Sequence, residues 1–342
     1  MSFIVVGTNY KKSPVEVREK IVFRRSDLPH ALFSLKKWTG ISTAIILSTC
    51  NRVEVYAEVN DIKQGINKIK QFIMLYHRID RNELDRYLYS YNNEDALKHF
   101  MQVSSGLDSM VIGETQIKTQ VKNAFEESVR AGLSNENLHT LSRQALKTVN
   151  VIHNTTDINK GKVSVGSVAV DFIQEKRGSL ANAHIIIIGT GKITNLVTQY
   201  LSQKAARIVF VATRTFEKAQ YFADQFGGKA VTGDRLKDYL KNADIVISAT
   251  ASPHFILKPE HIKEINHEIF MLDLAVPRDI DPDIQNNQNI RLFTLDDLNE
   301  IIAHNKEKKN IEIRKAECII EHEVEKLWKQ NLKLEHVPAL LP

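Results

Sequence analysis

The sequence is poor in cysteine and has only short apolar runs. Its two cysteines, Cys50 and Cys318, are far apart in the 342 residues and form no CxxC spacing. This argues against a disulfide framework or a cysteine-rich zinc site and favours a reducing compartment. Apolar runs such as residues 185–188 are far too short to span a bilayer. Residues 3–6 predict a strand and not a targeting segment, so we expect a cytoplasmic protein with no membrane segment.

Charge of either sign is also not in large excess. The 46 Lys and Arg residues against 41 Asp and Glu residues leave a formal net charge of +5, which permits a polyanionic partner without demanding one. Hydrophobic residues make up 43% of the chain and charged residues 25%, as in ordinary soluble globular proteins. The chain is too long for one core, so two or three domains are expected.

Residues 1–155 predict a catalytic domain of the α+β class, because strand-like and helical stretches follow one another in mixed order. Apolar residues alternate in the predicted strands and recur at helical spacing in the predicted helices. The strands are expected at residues 3–6, 41–47 and 52–59. The helices are expected at about residues 27–38, 64–77, 94–105, 117–131 and 136–152.

Cys50 lies between two of these strands, in the stretch 48–52 with the letters STCNR. Residues 53–59 alternate apolar and polar side chains, which is typical of a half-buried strand, so the thiol is expected at the rim of a sheet. A free cysteine is usually a small buried hydrophobic residue, but polar neighbours on both sides favour a functional one here. The guanidinium of Arg52 would favour the thiolate, which is the nucleophilic form.

Residues 106–117 (GLDSMVIGETQI) form a second unusual stretch, in which two glycines frame polar and apolar side chains. Neither a plain helix nor a plain strand explains this mixture. The stretch leads into a helix whose first turns would carry Glu114, Gln116 and Gln120, where an ordered loop meets the positive helix N-terminus. Isolated polar residues of this kind usually form a solvated helix face. His99, beside the apolar stripe of the preceding helix, would likewise more often be a surface residue than a catalytic one.

Residues 156–290 predict a Rossmann-type dinucleotide-binding domain, after a boundary rich in Thr, Asn, Lys and Gly near 154–166. An apolar strand at 184–188 is followed at once by a glycine turn and a helix, an arrangement that binds a pyrophosphate on backbone amides. Strands expected near 208–212, 243–248 and 270–274 alternate with helical stretches, which is typical of a doubly wound parallel sheet. The turn consists of Gly189, Thr190, Gly191, Lys192, Ile193 and Thr194.

This glycine fingerprint is imperfect, and the residues after the second strand predict the choice of cofactor. Thr194 replaces the third glycine, so a looser fit of helix on strand is expected. Arg214 stands where NAD-binding domains carry an acidic residue for the ribose 2′-hydroxyl. Because a basic side chain suits a 2′-phosphate, we expect NADP in place of NAD.

Residues 291–342 predict one long helix that links the domains. It would start at a capping box on Thr294, and apolar residues recur at helical spacing from Leu298 to Leu332 with no glycine or proline before Pro338. At about 1.5 Å per residue such a helix would extend on the order of 60 Å. The charged stretch 306–309 interrupts the apolar stripe, which fits a helix that packs on one domain and then on another.

Three stretches together resemble one family, the glutamyl-tRNA reductases of the C5 pathway of tetrapyrrole biosynthesis. They are residues 48–56 (STCNRVEVY), 106–117 and 273–282 (DLAVPRDIDP), and the likeness covers essentially the whole chain. The resemblance implies that glutamate charged on its tRNA is reduced by NADPH to glutamate-1-semialdehyde through a cysteine thioester, with release of the tRNA. The residues agree, since a thiolate converts an activated ester to a thioester that a hydride can reduce.

The resemblance also implies roles for residues. Cys50 would be the nucleophile, His99 the histidine that the family needs for activity, and the turn 189–194 the site of the NADPH pyrophosphate. The glutamyl pocket would be lined by Thr49, Asn51, Arg52, Ser109, Glu114, Thr115, Gln116 and Gln120. We expect Cys318, in the last helix, to be a packing residue.

The resemblance further implies partners. Glutamyl-tRNA(Glu) would be the substrate, and glutamate-1-semialdehyde aminomutase would receive the product. Bacterial members of the family form homodimers through a helical domain that follows the region of Val337 and Pro338. Because this sequence ends at Pro342, we expect a monomer or a weakened dimer.

Two other classes of protein remain open. A different NADP-dependent dehydrogenase, similar to shikimate dehydrogenase, would explain residues 160–290 but gives no role to Cys50 or to residues 106–117. A non-catalytic tRNA-binding or regulatory protein would explain only the slight excess of basic over acidic residues. Consumption of NADPH that requires charged tRNA separates the three alternatives.

Overall fold

The computed structural model describes residues 2–160, 164–204, 206–212, 215–299, 301–302, 307 and 309–335. The chain divides into two compact units. The first unit comprises Met1–Gly161 and Asn305–Pro342, and the second comprises Lys162–His304. Among the helices that are described, none is both long enough and apolar enough to cross a bilayer.

The first unit is built on a four-stranded antiparallel sheet with the order β2-β3-β1-β4. The strands are β1 (Ser2–Asn9), β2 (Ile41–Ser48), β3 (Arg52–Val59) and β4 (Tyr89–Asn92). The first three strands confirm the sequence prediction. The short edge strand β4 was not predicted, because its four residues have no apolar alternation.

Helices cover both faces of this sheet, so each face contributes to a core of its own. One core packs Val55 and its neighbours against α1 to α3, and the other packs Tyr56 against α5, α7 and the last helix of the chain. Every residue of β3 is therefore buried, and the prediction of a half-buried strand is wrong. The helices are α1 (Val15–Ile21), α2 (Leu28–Leu35), α3 (Ile62–His77), α4 (Arg81–Leu84), α5 (Asn93–Ser104), α6 (Gln116–Arg130) and α7 (Glu136–Thr155).

The second unit is a six-stranded parallel sheet with the order β10-β9-β8-β5-β6-β7, which confirms the predicted doubly wound sheet. Its elements are α8 (Val165–Arg177), β5 (His184–Ile188), α9 (Lys192–Leu201), β6 (Arg207–Ala212), α10 (Phe216–Phe226), β7 (Lys229–Thr232), α11 (Leu236–Leu240), β8 (Ile245–Ser248), β9 (Ile269–Asp273) and β10 (Ile290–Thr294). Strands β7 and β10 were not predicted.

A long C-terminal helix is confirmed, but it starts later than predicted. The capping box on Thr294 opens a short 3-10 segment, Leu295–Leu298, residues 299, 301, 302 and 307 are helical, and after a turn at residue 309 the long helix α12 is Asn310–Glu335. Its 26 residues correspond to about 39 Å at 1.5 Å per residue. Residues 306 and 308 of the predicted charged interruption lie outside the described residues. Cys318 is exposed on α12, so its prediction as a packing residue is wrong.

Candidate active site

Cys50 lies in the tight turn that joins β2 to β3. The side chain of Thr49 shapes this turn, because its Oγ1 accepts hydrogen bonds from the backbone amides of Asn51 and Arg52, both at 3.2 Å. The amide of Thr49 donates in turn to the carbonyl of Arg52 at 2.8 Å. The Cys50 thiol is half-buried, at the end of two paired strands. Thr49 therefore acts on the shape of the turn that carries the thiol.

The thiol of Cys50 is protonated in the resting protein. Burial raises its pKa to about 12, and the carboxylate of Glu114 adds to that increase, while Arg18 and then Arg52 lower the pKa by less. Arg18 is fully buried and its Nε donates to the Cys50 carbonyl at 3.3 Å. Arg52 thus favours the thiolate as expected, since its charge lowers the pKa of Cys50, but this charge and that of Arg18 do not outweigh burial.

The guanidinium of Arg52 forms ion pairs with two carboxylates. Its Nη1 lies 2.9 Å from Oε1 of Glu54, and its Nη2 lies 3.0 Å from Oδ2 of Asp108. Nη2 also donates to the backbone carbonyl of Asp108. Arg52 is 1% exposed, so these pairs are sheltered from solvent. The side chain thereby joins β3 to the loop 106–115.

Glu54 is the centre of this buried polar network. Its carboxylate accepts a hydrogen bond from the Tyr56 hydroxyl at 2.7 Å and another from the Tyr89 hydroxyl. Nε2 of His99 lies 2.6 Å from Oε1 of the same carboxylate. Burial raises the pKa of Glu54, but Arg52 and His99 outweigh burial and hold that pKa well below its ordinary value. Glu54 is therefore a fixed negative charge to which His99 is bound.

His99 is thus not the surface residue that its helical position indicates. It is 8% exposed, and its ring lies beside those of Tyr89 and Tyr91, with centroid distances of 5.6 and 5.0 Å. Because Glu54 can only accept a hydrogen bond, Nε2 of His99 carries a proton. Nδ1 is then the ring nitrogen that remains able to exchange a proton with a bound group.

The glycine-framed stretch forms a loop that folds back towards the Cys50 turn. Gly106 and Gly113 both have positive φ, at 78° and 82°, and the amide of Gly113 donates to the carbonyl of Gly106 at 3.1 Å. A Cβ at position 113 would lie 2.0 Å from the carbonyl oxygen of Ile158, so only glycine fits there. Nζ of Lys309 donates to this same carbonyl and to that of Ile112, which ties the loop to the start of α12.

This loop brings Ser109 and Glu114 into the surroundings of Cys50. The Tyr10 hydroxyl donates to the carbonyl of Ser109 at 3.4 Å. Burial raises the pKa of Glu114, although a hydrogen bond with Ser109 and the charge of Arg52 lower it in part. Glu114 in turn raises the pKa of Cys50. A carboxyl group with a raised pKa close to a thiol is a candidate for exchanging a proton with it.

The predicted pocket residues differ in how they are held. Oδ1 of Asn51 is buried and has no hydrogen-bond partner among the described residues, so it can receive a donor from a ligand. Thr115, Gln116 and Gln120 make no side-chain hydrogen bond with the described part of the chain. They lie at the start of α6, and Thr115 is exposed. The structure thus groups Thr49, Asn51, Arg52, Ser109 and Glu114 near Cys50 and leaves the other three unengaged.

The second unit offers a dinucleotide site at the carboxyl ends of β5 and β8, where the strand order reverses. Gly189 has a φ of 102°, and a Cβ there would lie 2.8 Å from Cγ2 of Thr250 and 2.9 Å from the carbonyl oxygen of Ala249. Thr194 is fully buried, and its hydroxyl donates to the carbonyl of Gly191 at 2.8 Å. Thr194 therefore fills its position within the turn. Arg214 lies outside the described residues.

Two buried acids at this edge were given no role by the sequence analysis. Asp279 accepts hydrogen bonds from the Ser248 hydroxyl and from the amide of Thr250, both at 2.7 Å, and from the Thr250 hydroxyl. Asp273 accepts from the backbone amides of Ala275, Asp279 and Ile280. Burial and the Asp279 carboxylate raise the pKa of Asp273 to about 7. The pair fixes the loop after β8 against the glycine turn.

Glu54, Asp108 and Arg18 were also missed. A sequence signal existed for Glu54, because residues two apart on a strand share a face and Glu54 therefore lies beside Arg52. Asp108 is part of the glycine-framed stretch, but its partner Arg52 is 56 residues away. No local pattern marks Arg18, which reaches Cys50 from α1.

Comparisons with known proteins cover both units. A family model described as "Glutamyl-tRNAGlu reductase, N-terminal domain" matches residues 6–156, and one described as "Shikimate / quinate 5-dehydrogenase" matches residues 171–301. The glutamyl-tRNA reductase of Geotalea uraniireducens is 38% identical over 346 residues, which cover 100% of this chain and 80% of that protein. That of Geobacter sulfurreducens is 36% identical with the same coverage. The solved glutamyl-tRNA reductase from Methanopyrus kandleri has a TM-score of 0.53 at 30% identity, covering 97% of this chain and 81% of that one.

Proposed function

Because the chain belongs to the glutamyl-tRNA reductase family, we propose that it reduces the glutamyl group of glutamyl-tRNA to glutamate-1-semialdehyde, with Cys50 as acyl acceptor and NADPH as reductant. The reaction supplies tetrapyrrole biosynthesis, and glutamate-1-semialdehyde aminomutase would take up the product. The observation that carries the proposal is the half-buried free thiol of Cys50, which the carboxyl group of Glu114 influences and which precedes Asn51, whose buried Oδ1 has no partner among the described residues.

Acyl transfer requires that the thiol lose its proton as the ester is attacked. The Cys50 Sγ forms a bond to the glutamyl carbonyl carbon, and the bond from that carbon to the ribose oxygen of the tRNA breaks. The oxygen that leaves gains one proton, and the thiol loses one, so the step is balanced. With a thiol pKa of about 12, little thiolate is present at neutral pH, so a group that takes the proton during the attack would speed the step.

Glu114 and His99 are the groups available to move that proton. Glu114 is close enough to the thiol to raise its pKa, and its own pKa is raised, so it suits exchange with Cys50. His99 keeps Nε2 on Glu54, which leaves Nδ1 for the ribose oxygen that departs. Asn51 would accept a hydrogen bond from the amino group of the glutamyl residue through Oδ1, since that atom has no other partner among the described residues.

The second unit would bind the reductant. The turn 189–194 and the start of α9 present backbone amides at the point where the strand order reverses, which favours a pyrophosphate. NADPH bound there would supply a hydride to the thioester carbonyl carbon; the carbon–sulfur bond would break to leave the aldehyde, and the sulfur would take one proton from solvent to restore the Cys50 thiol. The preference for NADPH over NADH rests on Arg214, whose place after β6 in the sequence suits a 2′-phosphate.

The proposal is tested by trapping the acyl enzyme. Glutamyl-tRNA with labelled glutamate, incubated with the protein without NADPH, should leave the label on the peptide that contains Cys50, in a bond that hydroxylamine cleaves. Cys50→Ser should abolish reduction, because an oxygen ester is a poorer hydride acceptor than a thioester. His99→Asn should lower turnover by about 10²–10⁴-fold.

The matched control is Cys318→Ser, since Cys318 is the second cysteine and is exposed. This variant should reduce glutamyl-tRNA at the rate of the unmodified protein. Label on the Cys318 peptide, or full activity of Cys50→Ser, would refute the assignment of Cys50.

A further inference from the structure

A cavity of about 630 Å³ opens in the first unit beside the Glu54 network. Its volume is in the range of about 300–1,000 Å³ that is usual for small-molecule sites. It has an aromatic wall and a rim of lysine and aspartate side chains. The side chains that matter for what it binds are those of Lys12, Tyr89, Tyr91, Lys98, His99 and Asp108.

Tyr89 and Tyr91 form the aromatic wall. They are two residues apart on the edge strand β4, so both rings lie on one face, with centroids 5.4 Å apart. His99 packs beside the ring of Tyr91 at 5.0 Å and holds it in place. Tyr91 is nevertheless 39% exposed. A supported aromatic ring that remains exposed at a cavity is a surface on which a nucleobase can stack.

The rim of the cavity carries charges of both signs, from Lys11, Lys12, Lys98, Asp95 and Asp108. Lys11 is neutralised by Asp108, and Lys98 pairs with Glu321 in an exposed ion pair at 2.8 Å. Lys12 is exposed and forms no ion pair with any residue in the described ranges. An unpaired lysine beside an exposed aromatic ring is suited to a phosphate group next to a base.

The cavity shares a wall with the Cys50 turn. Asp108 lines the cavity and is paired with Arg52, which follows the turn directly. Asn9 also lines the cavity and faces Arg52 in the β1–β3 register, and the next amide, that of Tyr10, donates to the carbonyl of Asn51 at 2.8 Å. Strand β1 therefore contributes Asn9 to the cavity and is paired with β3, which starts directly after the Cys50 turn.

We propose that this cavity binds the 3′-terminal adenosine of the tRNA, with its base stacked on Tyr91 and its phosphate at Lys12. The proposal rests on the function proposed above, because the ester that Cys50 attacks is carried by the ribose of that nucleotide. The terminal ribose would lie between the base on Tyr91 and the glutamyl group at Cys50, beside His99. Binding would place the bond to be broken at the wall that the cavity and the turn share.

Tyr91 provides the main test. Tyr91→Ala should raise the KM for glutamyl-tRNA by about 10- to 100-fold, as expected for the loss of one stacked base, whereas Tyr91→Phe, which keeps the ring, should stay within about twofold. Tyr221→Ala is the matched control, because Tyr221 is exposed in the second unit and should not affect KM. A KM of Tyr91→Ala equal to that of the unmodified protein would overturn the proposal.

Binding of uncharged tRNA(Glu) provides an independent readout. The unmodified protein should bind the intact tRNA more tightly than the same tRNA without its terminal adenosine, and Tyr91→Ala should bind the two equally. The logarithm of the association constant falls linearly with the logarithm of the salt concentration, and Lys12→Ala should make this slope less steep by about 0.7. That change corresponds to the loss of one single-strand phosphate contact. Equal binding of both tRNAs by the unmodified protein would contradict the inference.

A glutamate ester without any nucleotide separates this inference from the proposed function. Tyr91→Ala should acylate Cys50 from that ester as fast as the unmodified protein does, while acylating slowly from glutamyl-tRNA at low concentration. If the unmodified protein acylates Cys50 but Tyr91→Ala is equally slow with both substrates, the cavity has another role. If the unmodified protein acylates Cys50 from neither substrate, the proposed function fails. The binding of tRNA(Glu) with and without its terminal adenosine then decides by itself whether the cavity binds that nucleotide.

Discussion

The two units bury carboxylates in opposite ways. In the first unit, Glu54 lies in the core with Arg52 at 2.9 Å and His99 at 2.6 Å, so its negative charge is matched by the positive charge of Arg52. In the second unit, Asp273 and Asp279 lie together, and the hydrogen bonds that reach them come from backbone amides and hydroxyl groups. The Glu54 carboxylate therefore stays ionised, whereas the Asp273–Asp279 pair carries its full negative charge only after losing a proton.

The pKa values follow from this difference. Burial raises the pKa of all three acids, but Arg52 and His99 more than compensate for Glu54, whose pKa falls well below the ordinary value. Asp273 has a second carboxylate as neighbour, and its pKa rises to about 7. The first unit therefore contains a buried carboxylate, that of Glu54, which stays ionised near neutral pH. The second unit contains an acid that exchanges its proton there.

Cys50 is not a thiolate at rest because burial raises its pKa and the charge of Arg52 offsets only part of that increase. The charge of Arg52 is divided between Glu54 and Asp108, so it stabilises the fold around the turn more than it stabilises a negative sulfur. If Arg52 instead served the thiol, the pKa of Cys50 would lie below the value of an ordinary cysteine.

The alkylation rate of Cys50 tests whether the pKa of its thiol is raised. A thiol with a pKa of about 12 should react with iodoacetamide about 10³ times faster at pH 10 than at pH 7, because the thiolate fraction rises tenfold per pH unit. The rate is measured by mass spectrometry in a Cys318→Ser background, with tryptophan fluorescence as the control for folding. A rate that levels off at or below pH 9 would show that nearby cations do lower the pKa of the thiol.

Arg52→Met tests the matched charges of the first unit. Removing the cation leaves Glu54 buried without its main partner, so we expect the free energy of unfolding to fall by about 3–5 kcal/mol. Both tryptophans, Trp38 and Trp328, belong to the first unit, so their fluorescence during urea denaturation follows that unit alone.

The control for this variant is Arg143→Met. Arg143 pairs with Glu136 at 3.7 Å on an exposed helix surface, and its loss should change the free energy by less than about 0.5 kcal/mol. If Arg52→Met is as stable as Arg143→Met, the buried network does not hold the first unit together.

The architecture of both units was predictable because its signals are local. The apolar strand at 184–188 with its glycine turn identifies the Rossmann unit, and the alternation at 52–59 identifies β3. The edge strands β4 and β7 have four residues each and are defined by their pairing with β1 and β6. Such strands exist through long-range hydrogen bonds, and nothing in their own composition marks them.

The candidate site was predictable only in part for the same reason. Cys50 and the glycine-framed loop were found from local sequence. The burial of His99 and the use of Arg52 depend on contacts with residues 45 and 56 positions away, which fix where the charges go. Arg52 lowers the pKa of the thiol as expected, but sequence proximity gives no information about the burial of Cys50 or about the two carboxylates that also pair with Arg52.

Asp279→Asn tests the unmatched charges of the second unit. Because the folded-state pKa of Asp273 is about 7 and therefore above that of an unfolded Asp at about 3.9, its contribution to stability is complete below the unfolded value and is lost as pH rises through 7. The unmodified second unit should thus be more stable at pH 5 than at pH 8. Asparagine at position 279 keeps an oxygen for Ser248 and Thr250 but removes the neighbouring negative charge.

We expect Asp279→Asn to reduce this loss of stability between pH 5 and pH 8 by about 1 kcal/mol, which corresponds to a change of somewhat less than one pKa unit at Asp273. Hydrogen exchange at the amides of β8 and β9, without cofactor, reports the opening of the second unit separately from the first. Asp238→Asn is the control, since Asp238 is exposed and pairs with Arg235. If Asp279→Asn and the unmodified protein lose protection in parallel as pH rises, then Asp279 does not set the titration of Asp273, and the contrast between the two units reduces to burial alone.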